Sequence, residues 1–124
     1  MSIIKKIVQC INRGLPIKLA LFCDVDICCI PIGTKIFHPI GIVINGSTKI
    51  GKACLIWQNV TIANGKDEKP SVIGNNVNIY ANAIVLGSHI GNNAVIGAGS
   101  IVLADVPDNT VVVGIWKGEN PTAL

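Results

Sequence analysis

The chain has 124 residues, of which 50% are hydrophobic and only 4% aromatic, and its formal net charge is +3. This length suits a single domain, and the mild, scattered positive charge argues against a nucleic-acid-binding protein, in which basic residues gather on one patch. Ile, Val and 13 glycines dominate the composition, which favours a core of stacked β-branched side chains over an aromatic-rich one.

The five cysteines indicate a reduced, cytoplasmic protein. Their number is odd and none form a C-x-x-C pair, so we expect neither a disulfide framework nor a zinc site. The uncharged stretch from Pro70 to Ala104 contains too many Gly and Asn residues for a membrane-spanning helix. Lys18 interrupts the apolar run near the N-terminus, which argues against a signal peptide.

Residues 2–14 are predicted to form an amphipathic helix that ends at Gly14 and Pro16. Capping the end of the following domain is the favoured role, because the open end of a repeat domain exposes apolar surface. A weak contact with a membrane surface is the alternative. The apolar face is predicted to contain Ile3, Ile4, Ile7, Val8 and Ile11, with Lys5, Lys6, Gln9, Asn12 and Arg13 opposite.

A six-residue repeat organises the chain from about residue 30 to residue 113. A step of six excludes an α-helix and fits short parallel strands joined by tight turns, three to a triangular coil, in roughly four stacked coils. The fold class is therefore all-β, a parallel β-helix. Its inward aliphatic positions are Ile50, Ile56, Ile62, Ile73, Ile79, Val85, Ile90, Ile96 and Val102, and the small residues or Val four places later are Cys54, Val60, Val77, Ala83, Ala94 and Ser100.

Residues 63–71 break the repeat, because they are polar and carry four charges. We expect this segment to leave the coil as a loop, which is a common place for functional residues. The predicted organisation is a helical segment over 1–25, the coil over 26–114 and a tail over 115–124.

Residues 36–45, with the sequence IFHPIGIVIN, resemble the His-(Pro/Ala)-x-Gly-Ile-Val-(Ile/Val) signature of serine acetyltransferases and related sugar O-acetyltransferases. Residues from about 26 to 114 are similar to the hexapeptide repeats of bacterial acyltransferases. The resemblance implies a left-handed coil, which the spacing cannot show because ordinary parallel crossovers are right-handed. It also implies acetyl-CoA as co-substrate and no metal.

The resemblance makes His38 the general base, and imidazole is the natural base at neutral pH. Val25-Asp26-Ile27 is similar to a stretch that carries the orienting carboxylate in serine acetyltransferases, so Asp26 is the candidate partner and Asp24 the alternative. A carboxylate behind the imidazole would fix its tautomer. His89 lies in no motif, and we expect it to be structural or exposed.

Two departures from serine acetyltransferases point to a different acceptor. Phe37 stands where that family has Asp, and Glu68-Lys69-Pro70 where it has Arg-His-Pro. Because a site with unpaired charges rejects a substrate strongly, free serine is disfavoured. The sequence therefore predicts a sugar hydroxyl in surface polysaccharide biosynthesis, with serine as the alternative.

Residues for acetyl-CoA are predicted from the resemblance as a group. Small residues that let the pantetheine arm approach the backbone are expected along one coil edge, a second set near the thioester would supply a backbone N–H for the oxyanion, and a lysine after the last coil would meet the nucleotide phosphate. These residues are Ala81, Gly97 and Ala98, then Ala63, Asn64 and Gly65, and finally Lys117.

Two other classes of protein are less compatible with the sequence than an O-acetyltransferase. A β-helical carbonic anhydrase needs three histidine ligands for zinc, and the chain has two histidines. A silent scaffold has no need for a histidine in this motif. A homotrimer is expected, because one narrow coil has little interior and subunits packed side by side would build the cleft in which His38 meets acetyl-CoA.

Overall fold

The computed structural model describes residues 2–118. Two helices, α1 (Ile3–Asn12) and α2 (Lys18–Phe22), precede a series of short strands. The strands are β1 (Asp24–Val25), β2 (Lys35–Ile36), β3 (Val43–Ile44), β4 (Lys49–Ile50), β5 (Leu55–Ile56), β6 (Thr61–Ala63), β7 (Val72–Ile73), β8 (Asn78–Ile79), β9 (Ile84–Leu86), β10 (His89–Ile90), β11 (Val95–Ile96), β12 (Ile101–Val102), β13 (Val111–Val112) and β14 (Ile115–Trp116).

The strands form three parallel sheets around a triangular coil. The first sheet has the order β1-β3-β6-β9-β12-β14, the second β2-β5-β8-β11-β13 and the third β4-β7-β10. Each strand pairs with the strand one turn of the coil away, as β3 does with β6. The chain visits the second, first and third sheets in turn, which is the parallel β-helix that the six-residue step predicts.

Stacked aliphatic side chains fill the interior. Ile56 lies in register with Ile79, and Ile62 with Val85, so like side chains stack along the coil axis at the strand spacing of about 4.8 Å. Each fully buried aliphatic side chain stabilises the fold by about 1.5–3 kcal/mol. Every predicted inward position is buried except Ile50, which is partly buried and packs against the core.

Asn residues shape many of the corners. Asn59, Asn82, Asn93 and Asn109 adopt positive φ angles of 56–65°, a conformation that Asn tolerates better than most residues. The side chains of Asn93 and Asn109 also link successive coils, through a hydrogen bond from Asn93 Nδ2 to Asn109 Oδ1 at 3.1 Å. The corners are therefore built from turn chemistry that repeats with the coil.

The helices cap the first coil, and α1 uses only part of its predicted apolar face for this packing. Cys10 of α1 and Leu19 of α2 are fully buried. Gln9 Nε2 donates to Cys28 Sγ at 3.2 Å, and Arg13 donates to the carbonyl of Ile30 at 2.9 Å. Of the predicted apolar face, Ile7 packs against the core, whereas Ile3, Ile4, Val8 and Ile11 are exposed. The side of α1 that meets the coil therefore combines apolar and polar residues.

The coil is longer than the interval 26–114 expected from the sequence. At one end, β1 pairs with β3, and at the other, β14 pairs with β12. Trp116 closes the last coil, with its indole N–H donating to the carbonyl of Asp105 at 3.0 Å. Residues 119–124 of the predicted tail lie outside the described part of the chain.

Candidate active site

His38 lies on a two-residue insertion in the corner between the second and first sheets. Four residues separate β5 from β6 in the next coil, whereas six separate β2 from β3. In the shorter corner, Gln58 follows Trp57 directly. Phe37 occupies the same ladder position as Trp57, and Ile40 the same position as Gln58, because their backbone groups make equivalent hydrogen bonds to the next coil. His38 and Pro39 are therefore extra residues that project from the coil.

The backbone of His38 is in the left-handed region, with φ of 50°. This conformation is uncommon for a residue other than glycine and is concentrated at functional sites. The His38 carbonyl accepts a hydrogen bond from the N–H of Ile40 at 2.7 Å, which closes a tight turn around Pro39. The side chain is exposed, so the insertion presents the imidazole outside the coil.

An aromatic stack supports the imidazole. The Trp57 ring lies 5.9 Å from the His38 ring, 5.0 Å from Phe37 and 5.8 Å from Tyr80, measured between ring centroids. Trp57 and Tyr80 lie in no sequence motif that marks them as site residues. Their positions in the repeat could have predicted the stack. Phe37, Trp57 and Tyr80 each follow the last residue of a second-sheet strand, so they stand above one another in successive coils.

Two buried polar atoms lie beside this stack. Trp57 Nε1 and Gln58 Oε1 have no hydrogen-bond partner among the described residues. A buried donor or acceptor without a partner is costly, so this corner retains hydrogen-bonding capacity for a group outside the single chain.

The predicted partner, Asp26, lies on a different corner. It follows β1 at the exit from the first sheet, where its Oδ1 accepts from the N–H of Cys28 at 3.1 Å. His38 lies at the entrance to the same sheet. A single chain therefore does not bring the two together, and their pairing stays a prediction. Asp26 and Asp24 instead line a cleft of about 440 Å³ with Lys6.

The loop residues predicted near the thioester lie on the same side as Asp26. Ala63 ends β6, and its carbonyl accepts from Ser71 Oγ at 2.8 Å. Asn64 Oδ1 accepts from Ser47 Oγ at 2.8 Å. The N–H of Gly65 donates to the Lys69 carbonyl at 2.8 Å. This N–H is therefore already paired within the loop and is not free to hold an oxyanion.

The predicted site residues occupy two edges of the first sheet. We call them the His38 edge, where the chain enters this sheet, and the Asp26 edge, where it leaves. The His38 edge carries His38, Ala81, Gly97 and Ala98, and the Asp26 edge carries Asp26, Ala63, Asn64, Gly65 and Lys117. One face of the prism separates the two edges in a single chain.

His89 is exposed on the third sheet, and its backbone N–H donates to Asp105 Oδ1 at 2.8 Å. It begins the third-sheet strand that follows the corner at Gly87, and its exposure agrees with the expectation from the sequence. Within residues 2–118, no group of three or more His, Cys, Asp or Glu side chains is placed to hold a metal ion. No helix in that range is long and apolar enough to cross a membrane.

The chain is similar in structure to serine acetyltransferases. No protein-family model and no curated sequence matches the chain. Among solved structures, Neisseria gonorrhoeae serine acetyltransferase in complex with serine is 36% identical with a TM-score of 0.65 and covers 73% of this chain, which spans 37% of that enzyme. The structural neighbours of this chain are hexapeptide-repeat acyltransferases.

Two further neighbours agree with this result. Soybean serine acetyltransferase complexed with serine is 33% identical, with a TM-score of 0.62 over 73% of this chain and 37% of that enzyme. A serine acetyltransferase in complex with cysteine is 30% identical, with a TM-score of 0.70 over 79% of this chain and 43% of its own. The chain thus spans less than half the length of each enzyme. The predicted left-handed parallel β-helix of hexapeptide repeats is confirmed.

Proposed function

We propose that this hexapeptide-repeat β-helix transfers acetyl from acetyl-CoA to a hydroxyl group, with His38 as the general base. The observation that carries the proposal is the exposed imidazole on a strained corner insertion of a coil whose structural neighbours are serine acetyltransferases.

The chemistry needs one proton acceptor at the right place. A hydroxyl is a weak nucleophile at neutral pH, so the imidazole takes its proton as the oxygen attacks the thioester carbon. The carbon–sulfur bond then breaks, and the CoA sulfur leaves and takes up the proton from the imidazolium. The acetyl group passes directly to the acceptor, because the thioester is already activated.

Similarity to serine acetyltransferases makes serine, and not a sugar, the preferred acceptor in this proposal. Serine acetyltransferase neighbours, two of them in complex with serine, favour serine over a sugar in polysaccharide assembly. L-serine is therefore the first acceptor. A sugar hydroxyl is kept as the second because of one observation: Phe37 and Trp57 place aromatic surface rather than carboxylates beside His38, and such surface suits a sugar ring better than an ammonium and carboxylate pair.

A homotrimer would complete the site. The outer face of the first sheet is apolar, and burying such a face favours association. Packing this face against a neighbouring subunit would bring the His38 edge of one chain near the Asp26 edge of the next, where Asp26 or Asp24 would orient the imidazole. The outward residues of this face include Val43, Ile84, Leu86, Ile101, Leu103 and Ile115.

Acetyl-CoA would lie in the cleft between such subunits. Ala81, Gly97 and Ala98 have small side chains that let the pantetheine arm approach the backbone of the His38 edge. Lys117, exposed after β14, would offer a positive charge to a phosphate. Ala63 and Asn64 would face the thioester from the Asp26 edge of the neighbour. We place the reaction in the cytoplasm, where the five free cysteines remain reduced.

Thiol release from acetyl-CoA tests the function directly. The full chain is assayed with L-serine, nucleotide sugars and oligosaccharides as acceptors. Turnover with serine supports the first acceptor, and turnover with a sugar alone supports the second. Absence of thiol release with every hydroxyl acceptor, in a protein that is folded and trimeric, would contradict the proposed activity.

The trimer is tested by placing a charge on the apolar face. Leu103→Asp is expected to shift the sedimentation mass from trimer to monomer, because an ionised carboxylate is costly to bury, and to abolish acetyl transfer. Ile32→Asp is the matched control, since Ile32 is also an exposed apolar residue but lies outside the first sheet. Activity in a wild-type monomer would overturn the shared site.

A further inference from the structure

The helix α1 presents its apolar stripe to the outside. Ile4, Val8 and Ile11 are 71%, 48% and 61% exposed. Their spacing of four and three residues puts them on one side of the helix. The opposite side, which includes Gln9, Cys10 and Arg13, faces the coil. The stripe is therefore not part of the cap's own packing.

The second helix adds exposed apolar surface to the cap. Ile17 and Leu21, also four residues apart, are exposed, while Leu19 and Ala20 between them are buried against the core. Residues 2–23 leave six large aliphatic side chains exposed, together with the aromatic Phe22. We call five of the aliphatic residues the cap stripe: Ile4, Val8, Ile11, Ile17 and Leu21.

The net positive charge of the described chain is concentrated in the same segment. Residues 2–23 contain four basic residues and no acidic one, whereas residues 24–118 contain six basic and six acidic residues. Lys5 and Lys18 are exposed beside the stripe, and Arg13 is held by the Ile30 carbonyl. The cap is thus cationic on a body whose charges balance.

We infer that the cap stripe docks on an anionic lipid surface, with its aliphatic side chains in the acyl boundary and its lysines at the headgroups. An amphipathic helix with a basic polar side binds a membrane interface in this way, and each lysine near an anionic surface strengthens the attraction. A second copy of the cap is a poorer partner, because two caps would bring only positive charges together.

The proposed trimer would strengthen this docking. Subunits packed side by side around one axis have their N-terminal ends at the same end of the prism, so three caps would meet one surface, and linked weak contacts add up to stable binding. Only this step rests on the proposed function. Docking by a single cap does not depend on acetyl transfer.

Flotation of the full chain with lipid vesicles tests the inference. We expect binding to phosphatidylcholine vesicles that contain phosphatidylglycerol, little binding to phosphatidylcholine alone, and weakening by added salt. The variant Ile4→Ser/Val8→Ser/Ile11→Ser should bind at least about ten-fold more weakly. Lys5→Gln/Lys18→Gln should weaken binding to the anionic vesicles only.

The control is Ile32→Ser/Val111→Ser, which removes apolar residues that are 74% and 64% exposed elsewhere on the coil and should bind as the wild type does. No binding by wild type, or full binding by the triple variant, would overturn the inference. A changed sedimentation mass of the triple variant would also overturn it, since the stripe would then be a contact between copies. Thiol release with a water-soluble acceptor should be the same in the triple variant, so a failure of docking is distinct from a failure of the proposed activity.

Discussion

The imidazole of His38 leans against the indole of Trp57, with ring centroids 5.9 Å apart and the planes inclined by 41°. The two residues come from successive coils, so the packing of the prism determines how the inserted corner presents its base. Trp57 is itself held between Phe37 and Tyr80. The stack restrains a side chain that is otherwise exposed.

Replacement of His38 by Ala is expected to lower kcat at least about a hundred-fold, the usual contribution of a general base. The measurement is thiol release from acetyl-CoA with the acceptor identified for the wild type. His89→Ala is the matched control, because it removes the other histidine from a separate sheet, and it should retain activity. Unchanged turnover in His38→Ala would remove this residue from the mechanism.

Replacement of Trp57 by Leu should lower kcat roughly ten-fold through loss of the surface that positions His38. Trp57→Phe keeps an aromatic ring and should retain most of the activity. The discriminating readout is a double-mutant cycle. In the His38→Ala background, Trp57→Leu should cause no further loss of kcat, whereas a ten-fold loss in that background would show that Trp57 acts independently of the base.

Gly87→Ala is expected to destabilise the fold more than Gly99→Ala. Both glycines have positive φ, 53° and 71°, so each alanine incurs about 1–2 kcal/mol of backbone strain. A Cβ at Gly87 would also lie 2.6 Å from the Cα of Gly65, whereas a Cβ at Gly99 meets open space. The clash should add about 1–3 kcal/mol.

Urea unfolding at a fixed protomer concentration measures the difference, because the stability of an assembly depends on concentration. Equal destabilisation by the two substitutions would mean that the loop at Gly65 moves aside freely. In that case, the backbone contact between Gly65 and Gly87 does not hold the loop.

Stability should decline as the pH rises above about 8.5, the ordinary value for a thiol. Burial raises the pKa of the Cys54 thiol, with backbone hydrogen bonds at Val77 and Asn76 opposing it in part. The unfolded chain then loses the Cys54 proton at a lower pH than the folded chain does. Folding is therefore favoured fully below the unfolded pKa and progressively less above it.

Cys54→Ala should flatten this alkaline decline in thermal unfolding scans, and Cys28→Ala is the control, because Cys28 is exposed. If the decline is as steep in Cys54→Ala as in the wild type, other groups cause it.

The coil itself was predictable from the sequence because it obeys one spacing rule. Each inward residue, such as Ile56 or Ile79, is fixed by its distance from the previous one, and small residues such as Ala83 are buried directly after a corner. The sequence also predicted an irregularity near His89, which corresponds to Gly87 at positive φ and a buried Ser88.

Contacts between successive coils were harder to predict from the sequence. The insertion of His38 and Pro39 becomes visible only when backbone hydrogen bonds align Ile40 with Gln58. The orientation of α1 could not be predicted for a similar reason: an amphipathic pattern shows that a helix has two faces, but tertiary contacts such as that of Arg13 with Ile30 decide which residues turn inward.

The short terminal strands help to explain why molecules of this fold do not stack end to end into fibrils. A stack of parallel strands with like side chains above one another is the arrangement of a cross-β fibril, and an open last layer would template the next molecule. Here, β1 and β14 each offer only two residues, helices cover one end, and Trp116 closes the other. The protein thus uses fibril-like pairing over a few layers while giving another chain little backbone on which to continue the growth.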